Sequence, residues 1–320
     1  MSTTRVSTNE TVLLAEGLSK SFGDLRALDD VSLDLKAGQV RGFIGANGAG
    51  KTTTMRIVMG VLASDGGSIS FHRRPITPDD RRRVGYMPEE RGLYPKMKIA
   101  DQVAFFGELA GMGRSDAKAA TAELLEQLDL SHRAKDSVQD LSLGNQQRVQ
   151  LAVCLVADPE VLILDEPFSG LDPIAVDVMS KALLDRAARG VTVLFSSHQL
   201  DLVERLCDSV TIISGGRVIA DGTVPDLKAR EEAPLRVRVE DAPDLTGELQ
   251  GVAREVSNDG KDYLLKGADD RAVLSLVQQS GHLTHFAYDQ PSIADIFREA
   301  IKPVAPEPAR PAGEHDETGR

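Results

Sequence analysis

An α/β fold built on a mostly parallel sheet is predicted for this 320-residue chain by three observations. Val40–Ile44 reads as a strand, a glycine-rich loop follows at Gly45–Thr53, and Thr53, Met55, Ile57 and Val58 open a helix that runs to about Leu62. Val161-Leu162-Ile163-Leu164 is a continuous apolar run, the pattern of a strand buried on both faces. Strands then alternate with helices over most of the chain, which requires a parallel sheet covered on both sides.

Local pattern places each element in turn. Val12–Ala15 and Val31–Leu35 alternate as strands, and Ala37-Gly38 turns the chain into the strand at Val40. Gly66-Gly67 turns into a strand at Ser68–Phe71, and Val84–Met87 is a short strand stopped by Pro88. Residues 99–130 carry helical periodicity, broken at Gly111-Met112-Gly113. A helix at 146–157 leads into the Val161 strand, and one around 174–188 leads to a strand at Val191–Phe195. The pattern changes near Glu231-Glu232-Ala233-Pro234. Beyond it, a small α+β unit is expected, with strands at 235–240, 252–257, 262–266 and 282–288 and helices at 268–280 and 291–301. Residues 302–320, rich in Pro, Ala and charge, have little to bury and are expected to be disordered. The parts are therefore 11–230, 234–301 and the tail 302–320, with no internal repeat.

The glycine-rich loop Gly45-Ala46-Asn47-Gly48-Ala49-Gly50-Lys51-Thr52-Thr53 fits G-x-x-x-x-G-K-[ST]. Gly45, Gly48 and Gly50 permit φ > 0 and turn backbone N–H groups inward. At the start of a helix, where the dipole favours negative charge, those groups cradle phosphate oxygens. Lys51 can reach the β- and γ-phosphates, and the Thr52 hydroxyl can ligand Mg²⁺. Downstream, the apolar strand 161–164 ends in Asp165-Glu166. An aspartate there suits Mg²⁺ held through water, and Glu166 is placed to polarise an attacking water.

Composition narrows the class. Hydrophobic residues make up 41% and charged residues 27%, as in soluble globular proteins. No apolar run is long enough to span a bilayer, and Met1–Arg5 lacks the apolar core of a secretory signal, so a cytosolic protein is expected. The net charge of −12 argues against a protein that grips nucleic-acid phosphates. Arg73, Arg74, Arg81, Arg82 and Arg83 read as a solvated face. Cys154 and Cys207 read as buried reduced thiols, and His282 and His285 as structural or surface residues.

Further motifs identify the chain as a member of the ATP-binding cassette (ABC) ATPases over about residues 11–228. Leu141-Ser142-Leu143-Gly144-Asn145-Gln146-Gln147-Arg148 resembles the signature motif, and Ser169-Gly170-Leu171-Asp172 the D-loop. His198 resembles the switch histidine, Phe22 the aromatic that stacks on adenine, and Tyr86–Glu90 the Q-loop. The resemblance implies a P-loop NTPase cassette with an antiparallel β subdomain and a helical subdomain. ATP and Mg²⁺ are the implied cofactors. It further implies a head-to-tail dimer, of two copies or of homologous ATPases, in which each ATP lies between one phosphate loop and the other subunit's Ser142, Gly144 and Asn145. Asp172 belongs to the same nucleotide machinery, and His198 holds the γ-phosphate and water in the transition state.

Two positions depart from the family pattern. The Q-loop usually carries Gln as a Mg²⁺ ligand, and Glu89 stands there (Glu90 if the register slips). A carboxylate is a hard oxygen ligand but cannot donate a hydrogen bond. The signature has Leu143 where Gly is usual and Asn145 where Gln is usual.

Pro88–Pro95, Gly144–Gln147 and Gln290–Phe297 resemble a subgroup, the ATPase subunits of bacterial two-component sodium- and drug-efflux exporters. The expected function is ATP hydrolysis powering a separate integral-membrane permease, for export, at the inner face of the cell membrane. Residues 92–112, and Gly92–Met97 above all, are the expected permease contact. The alternative is a soluble ABC ATPase with a regulatory, assembly or translation-related role. Translation-type members usually carry two cassettes. DNA-repair members insert a long coiled coil, whereas about ninety residues separate Lys51 from Leu141 here.

Overall fold

The computed structural model describes residues 10–301 except 91, 231, 232 and 290. The expected tail 302–320 and the Glu231-Glu232 boundary lie outside the described residues. The chain opens with β1 (Thr11–Phe22), β2 (Leu25–Lys36), β3 (Val40–Ile44), α1 (Lys51–Val58), β4 (Gly66–Phe71), β5 (Arg74–Pro75), α2 (Pro78–Arg81) and β6 (Val84–Met87). The middle holds α3 (Ile99–Leu109), α4 (Arg114–Gln127), α5 (Leu143–Leu155), β7 (Val161–Leu164), α6 (Pro173–Ala188), β8 (Thr192–Ser196) and α7 (Leu200–Leu206). Then come β9 (Ser209–Ser214), β10 (Arg217–Thr223), α8 (Val224–Arg230), β11 (Leu235–Glu240), α9 (Thr246–Leu249), β12 (Glu255–Asp259), β13 (Asp262–Lys266), α10 (Asp270–Ser280), β14 (His282–Tyr288) and α11 (Ile293–Ala300).

The central sheet has the order β10-β9-β3-β8-β7-β6. Its members pair in parallel, apart from the antiparallel edge strand β10. An antiparallel sheet, β2-β1-β4-β5, packs on one face together with α1, and α5, α6 and α7 pack on the other. The alternation along β7 shows why its run is apolar throughout. Val161 and Ile163 join the core shared with Leu13, Leu33 and Phe43, while Leu162 and Leu164 join the core shared with Leu155 and Met179. Burying such a side chain on either face contributes roughly 1.5–3 kcal/mol, so alternation with polar residues would cost stability on one side.

Several bounds differ from expectation for local reasons. α1 stops at Val58 rather than near Leu62, because Gly60 turns the chain at φ 74. α5 starts at Leu143 rather than 146, because the Ser142 hydroxyl caps it by accepting the Asn145 N–H at 3.4 Å. The strand expected from 252 begins at Glu255, since Val252 and Ala253 still donate to the Leu249 carbonyl at the end of α9. β1 and β2 run through bulges to Phe22 and from Leu25, well beyond the short runs read from sequence. Cys154 is buried, and burial pushes its thiol up to about 12, whereas Cys207 is only half-buried. The arginine face is ion-paired: Arg74 grips Asp80 with two bonds of 2.7 and 2.6 Å, and Arg83 pairs with Glu160. His282 and His285 are exposed on β14.

The small C-terminal sheet, order β12-β13-β11-β14, has its own core of Val237, Tyr263, Val273 and Val277 with α9 and α10. Its entry and exit meet, since Asp289 N–H donates to the Pro234 carbonyl at 2.9 Å. The last helix leaves it. α11 buries Ile293 and Ile296 in the cassette core against Leu202, Leu206 and Leu227 of α7 and α8.

Candidate functional site

A cleft of about 350 Å³ at the carboxyl end of the parallel strands is lined by Asn47–Thr53, Phe22, Glu89, Asp165 and Glu166. Residues far apart in sequence therefore meet here, where the N-terminus of α1 faces the ends of β6 and β7. Gly48 and Gly50 hold φ of 79 and 110, as the loop geometry requires. Gly45 has a different reason to be glycine: a Cβ there would lie 2.4 Å from the Ile213 carbonyl oxygen on β9. Lys51 is 7% exposed, and its ammonium donates to the Gly45 carbonyl at 2.6 Å and the Ala46 carbonyl at 3.3 Å. The first amides of α1 have no acceptor within the helix, so the loop presents N–H donors and a lysine to the cleft.

The acidic side is fixed by a residue that motif reading passed over. Ser196, fully buried at the end of β8, donates to Asp165 Oδ1 at 2.7 Å and accepts the Glu166 N–H at 2.8 Å. One hydroxyl thus fixes the Asp165 carboxylate and the Glu166 backbone. Asp165 is fully buried, and among the described residues its Oδ2 has no hydrogen-bond partner. A buried carboxylate oxygen left over at a phosphate-binding cleft fits a cation or its water. Among the described residues, no three His, Cys, Asp or Glu side chains converge as a metal cage. That suits Mg²⁺, which takes one or two carboxylates and completes its shell with phosphates and water.

Glu166 holds φ 49, uncommon for a residue with a Cβ, and its Oε2 lies 2.9 Å from His198 Nδ1. A donor at Nδ1 matches the carboxylate acceptor and leaves Nε2 directed away from it. Glu166 is largely covered and His198 is 61% exposed, so the pair stands at the rim. Glu89 lines the cleft, and Glu90 is not among its lining residues. Phe22 is 49% exposed, with the Lys20 ammonium 5.6 Å from its ring centroid.

The signature residues lie outside this cleft. Ser142 is exposed at the N-cap of α5, Gly144 and Asn145 are half-buried beside it, and the Asn145 side-chain Oδ1 accepts from Arg148. Asp172 also lies outside; it caps α6 by accepting the Ala175 N–H at 2.8 Å. α5 nevertheless reaches the site through two buried glutamines. Gln147 donates to the Glu166 carbonyl at 3.4 Å, and Gln150 to the Pro88 carbonyl at 2.8 Å.

A profile of the ABC transporter family matches residues 28–169. The chain is 36% identical over 297 residues to the uncharacterized ABC transporter ATP-binding protein YhaQ of Bacillus subtilis, covering 92% of this chain and 99% of that protein. It is 32% identical over 292 residues to Nod factor export ATP-binding protein I of Cupriavidus pinatubonensis, covering 89% of each. A solved structure of an ATP-binding subunit of an ABC transporter matches with TM-score 0.64 and 30% identity, over 69% of this chain and 93% of that one. With its phosphate loop, paired carboxylates and parallel-sheet cassette, the chain belongs to the ATP-binding proteins of ABC transporters.

Proposed function

We propose that the chain hydrolyses ATP in a head-to-tail dimer and drives a separate membrane permease in the direction of export. The observation that carries the hydrolytic reading is the group Asp165–Glu166–Ser196–His198 set against the phosphate loop. The loop amides and Lys51 bind the phosphates. Thr52, Asp165 and Glu89 are the residues that would hold Mg²⁺, which would supply charge neutralisation of the phosphates. Glu166 accepts the proton of the attacking water, and His198 keeps the Glu166 carboxylate oriented while its other ring nitrogen faces the γ-phosphate. Phe22, half open to solvent, stacks on adenine.

Ser142, Gly144 and Asn145 are not among the residues that line this cleft, and in this reading a second subunit's signature completes the site. Asp172 acts beside it by capping the helix that follows the D-loop. The export direction rests on likeness to a protein named for Nod factor export. The permease contact is assigned to the helical side, where Tyr94, Phe105 and Leu109 are 53%, 39% and 69% exposed. Tyr94 is held there by the buried Gln102, whose Oε1 accepts the Tyr94 N–H at 2.8 Å. Working there, the chain sits at the inner face of the cell membrane.

Glu166→Gln tests the chemistry. ATP binding is retained, an ATP-bound dimer accumulates, and hydrolysis falls by about 10²–10⁴-fold. Hydrolysis near the wild-type rate would remove Glu166 from its role. Paired alanine substitutions at Tyr94 and Phe105 test the partner, with loss of co-purification with the permease as the expected result.

A further inference from the structure

The last helix reaches the nucleotide machinery. Phe297 of α11 lines one cleft, of about 340 Å³, with Gly45–Asn47 of the phosphate loop and with Ser197 and His198. Ala294, one turn earlier, lines the neighbouring cleft with His198, Leu200 and the D-loop residue Leu171. α11 is anchored firmly. Ile293 and Ile296 are 0% and 4% exposed in the cassette core. The Ile293 N–H donates to Glu204 Oε2 at 2.9 Å, and Glu204 Oε1 pairs with Lys228 of α8. Ser292 and Asp295 form a reciprocal capping box at its start. On its outer side, Glu299 lies 4.0 Å from Lys266 of β13.

We propose that α11 is a positioning element for hydrolysis: Phe297 wedges the segment carrying His198 against the Gly45–Asn47 arm of the phosphate loop. The physical reason is geometric. His198 is 61% exposed, and its ring is restrained on one side by Glu166. The strand before it ends at Ser196, and α7 does not begin until Leu200. The connecting segment is tied by Gln199 to the Ser197 hydroxyl and the Phe168 carbonyl, and it shares its two clefts with Phe297 and Ala294 of α11. A displacement of about 1 Å in such a group can cost up to about 100-fold in rate. Because the C-terminal sheet precedes α11 directly and touches it through Lys266, any partner that shifts the sheet would also shift the histidine. Phe297 is thus a positioning residue and not a catalytic one.

The inference rests on His198 acting in hydrolysis, and the experiment separates the two. Steady-state ATPase is measured on the full chain for Phe297→Ala, Glu204→Ala, His198→Ala and the double variant Phe297→Ala/His198→Ala, with Mg-ATP binding and thermal midpoint alongside. Phe297→Ala is expected to lower kcat about tenfold with KM within about twofold, since it disturbs orientation more than binding. Glu204→Ala, which frees the start of α11 without touching the clefts, lowers kcat several-fold, and Glu204→Gln, which keeps an acceptor for the Ile293 N–H, restores it. In the His198→Ala background, Phe297→Ala causes no further loss, because residues acting as a unit are not additive. A near-normal rate in His198→Ala would overturn the proposed role of the histidine. A crippled His198→Ala with unchanged kcat in folded Phe297→Ala, or in Glu204→Ala, would overturn the role of α11 alone. So would full multiplicative losses in the double variant.

Discussion

Ser196→Ala is the perturbation whose size the structure sets most directly. The Ser196 hydroxyl is fully buried and makes two bonds: it donates to Asp165 Oδ1 at 2.7 Å and accepts the Glu166 N–H at 2.8 Å. A hydrogen bond to a charged group contributes about 1.5–3 kcal/mol, and a neutral one about 0.5–1.5 kcal/mol. Alanine removes both at once. It also leaves Asp165, whose Oδ2 already lacks a partner, with no hydrogen bond to either carboxylate oxygen from Ser196. The free energy of unfolding from urea curves should therefore fall by about 2–4 kcal/mol. Bound Mg-ATP should recover part of that loss, because it supplies the cation that the buried carboxylate faces. The half-saturating Mg²⁺ in ATPase assays should rise several-fold. A loss below about 1 kcal/mol together with an unchanged Mg²⁺ titration would refute the reasoning, since it would mean that the hydroxyl holds neither the Asp165 carboxylate nor the Glu166 backbone.

Three further outcomes follow from named groups. Ser180, 5% exposed on α6, has a hydroxyl with no partner, so Ser180→Ala should be neutral or stabilise the fold by up to about 1 kcal/mol, read as a raised midpoint in urea. The Arg74 guanidinium and the Thr77 hydroxyl hold the Asp80 carboxyl well below the usual carboxylate range. Its folded-state value is depressed, so its contribution is complete above the unfolded value of about 3.9 and is lost as pH falls through the folded one. The difference in thermal midpoint between wild type and Asp80→Asn should therefore stay constant from neutral pH down to about 5 and shrink only below about 4. Glu89→Gln should lower the Mg²⁺ concentration that half-saturates ATPase activity, because a neutral amide does not repel the γ-phosphate; an unchanged titration would count against Glu89 as a ligand.

The sequence pattern was most legible where one physical demand acted alone. Val161–Leu164 occupies the span expected of it, since burial on both faces leaves no room for polar residues, and Val84–Met87, stopped by Pro88, also does. The phosphate loop could be read because backbone geometry dictates its glycines, although Gly45 is explained by the Ile213 carbonyl and not by a positive φ. β9 and β10 went unread: Ser209–Ser214 carries Ser and Thr among its apolar residues, and β10 is an edge strand whose Gly222 and Asp221 read as a loop. The residues that orient the site were less legible still. Ser196 lies 31 positions from Asp165, Gln150 lies 62 from Pro88, and Glu204 lies 89 from Ile293. Such pairs leave no periodicity in the sequence, and only the folded sheet brings them together.

The 2.9 Å bond between Asp289 and Pro234 means that the polypeptide enters and leaves the small C-terminal sheet at one point. In topological terms the sheet is an insertion between two helices of the cassette, with α8 before it and α11 after it. A short turn in place of 235–288 would span the gap between its two flanks. Strain or load arising within the sheet therefore has a short path to the cassette, through this single junction and the 4.0 Å contact between Lys266 and Glu299 of α11.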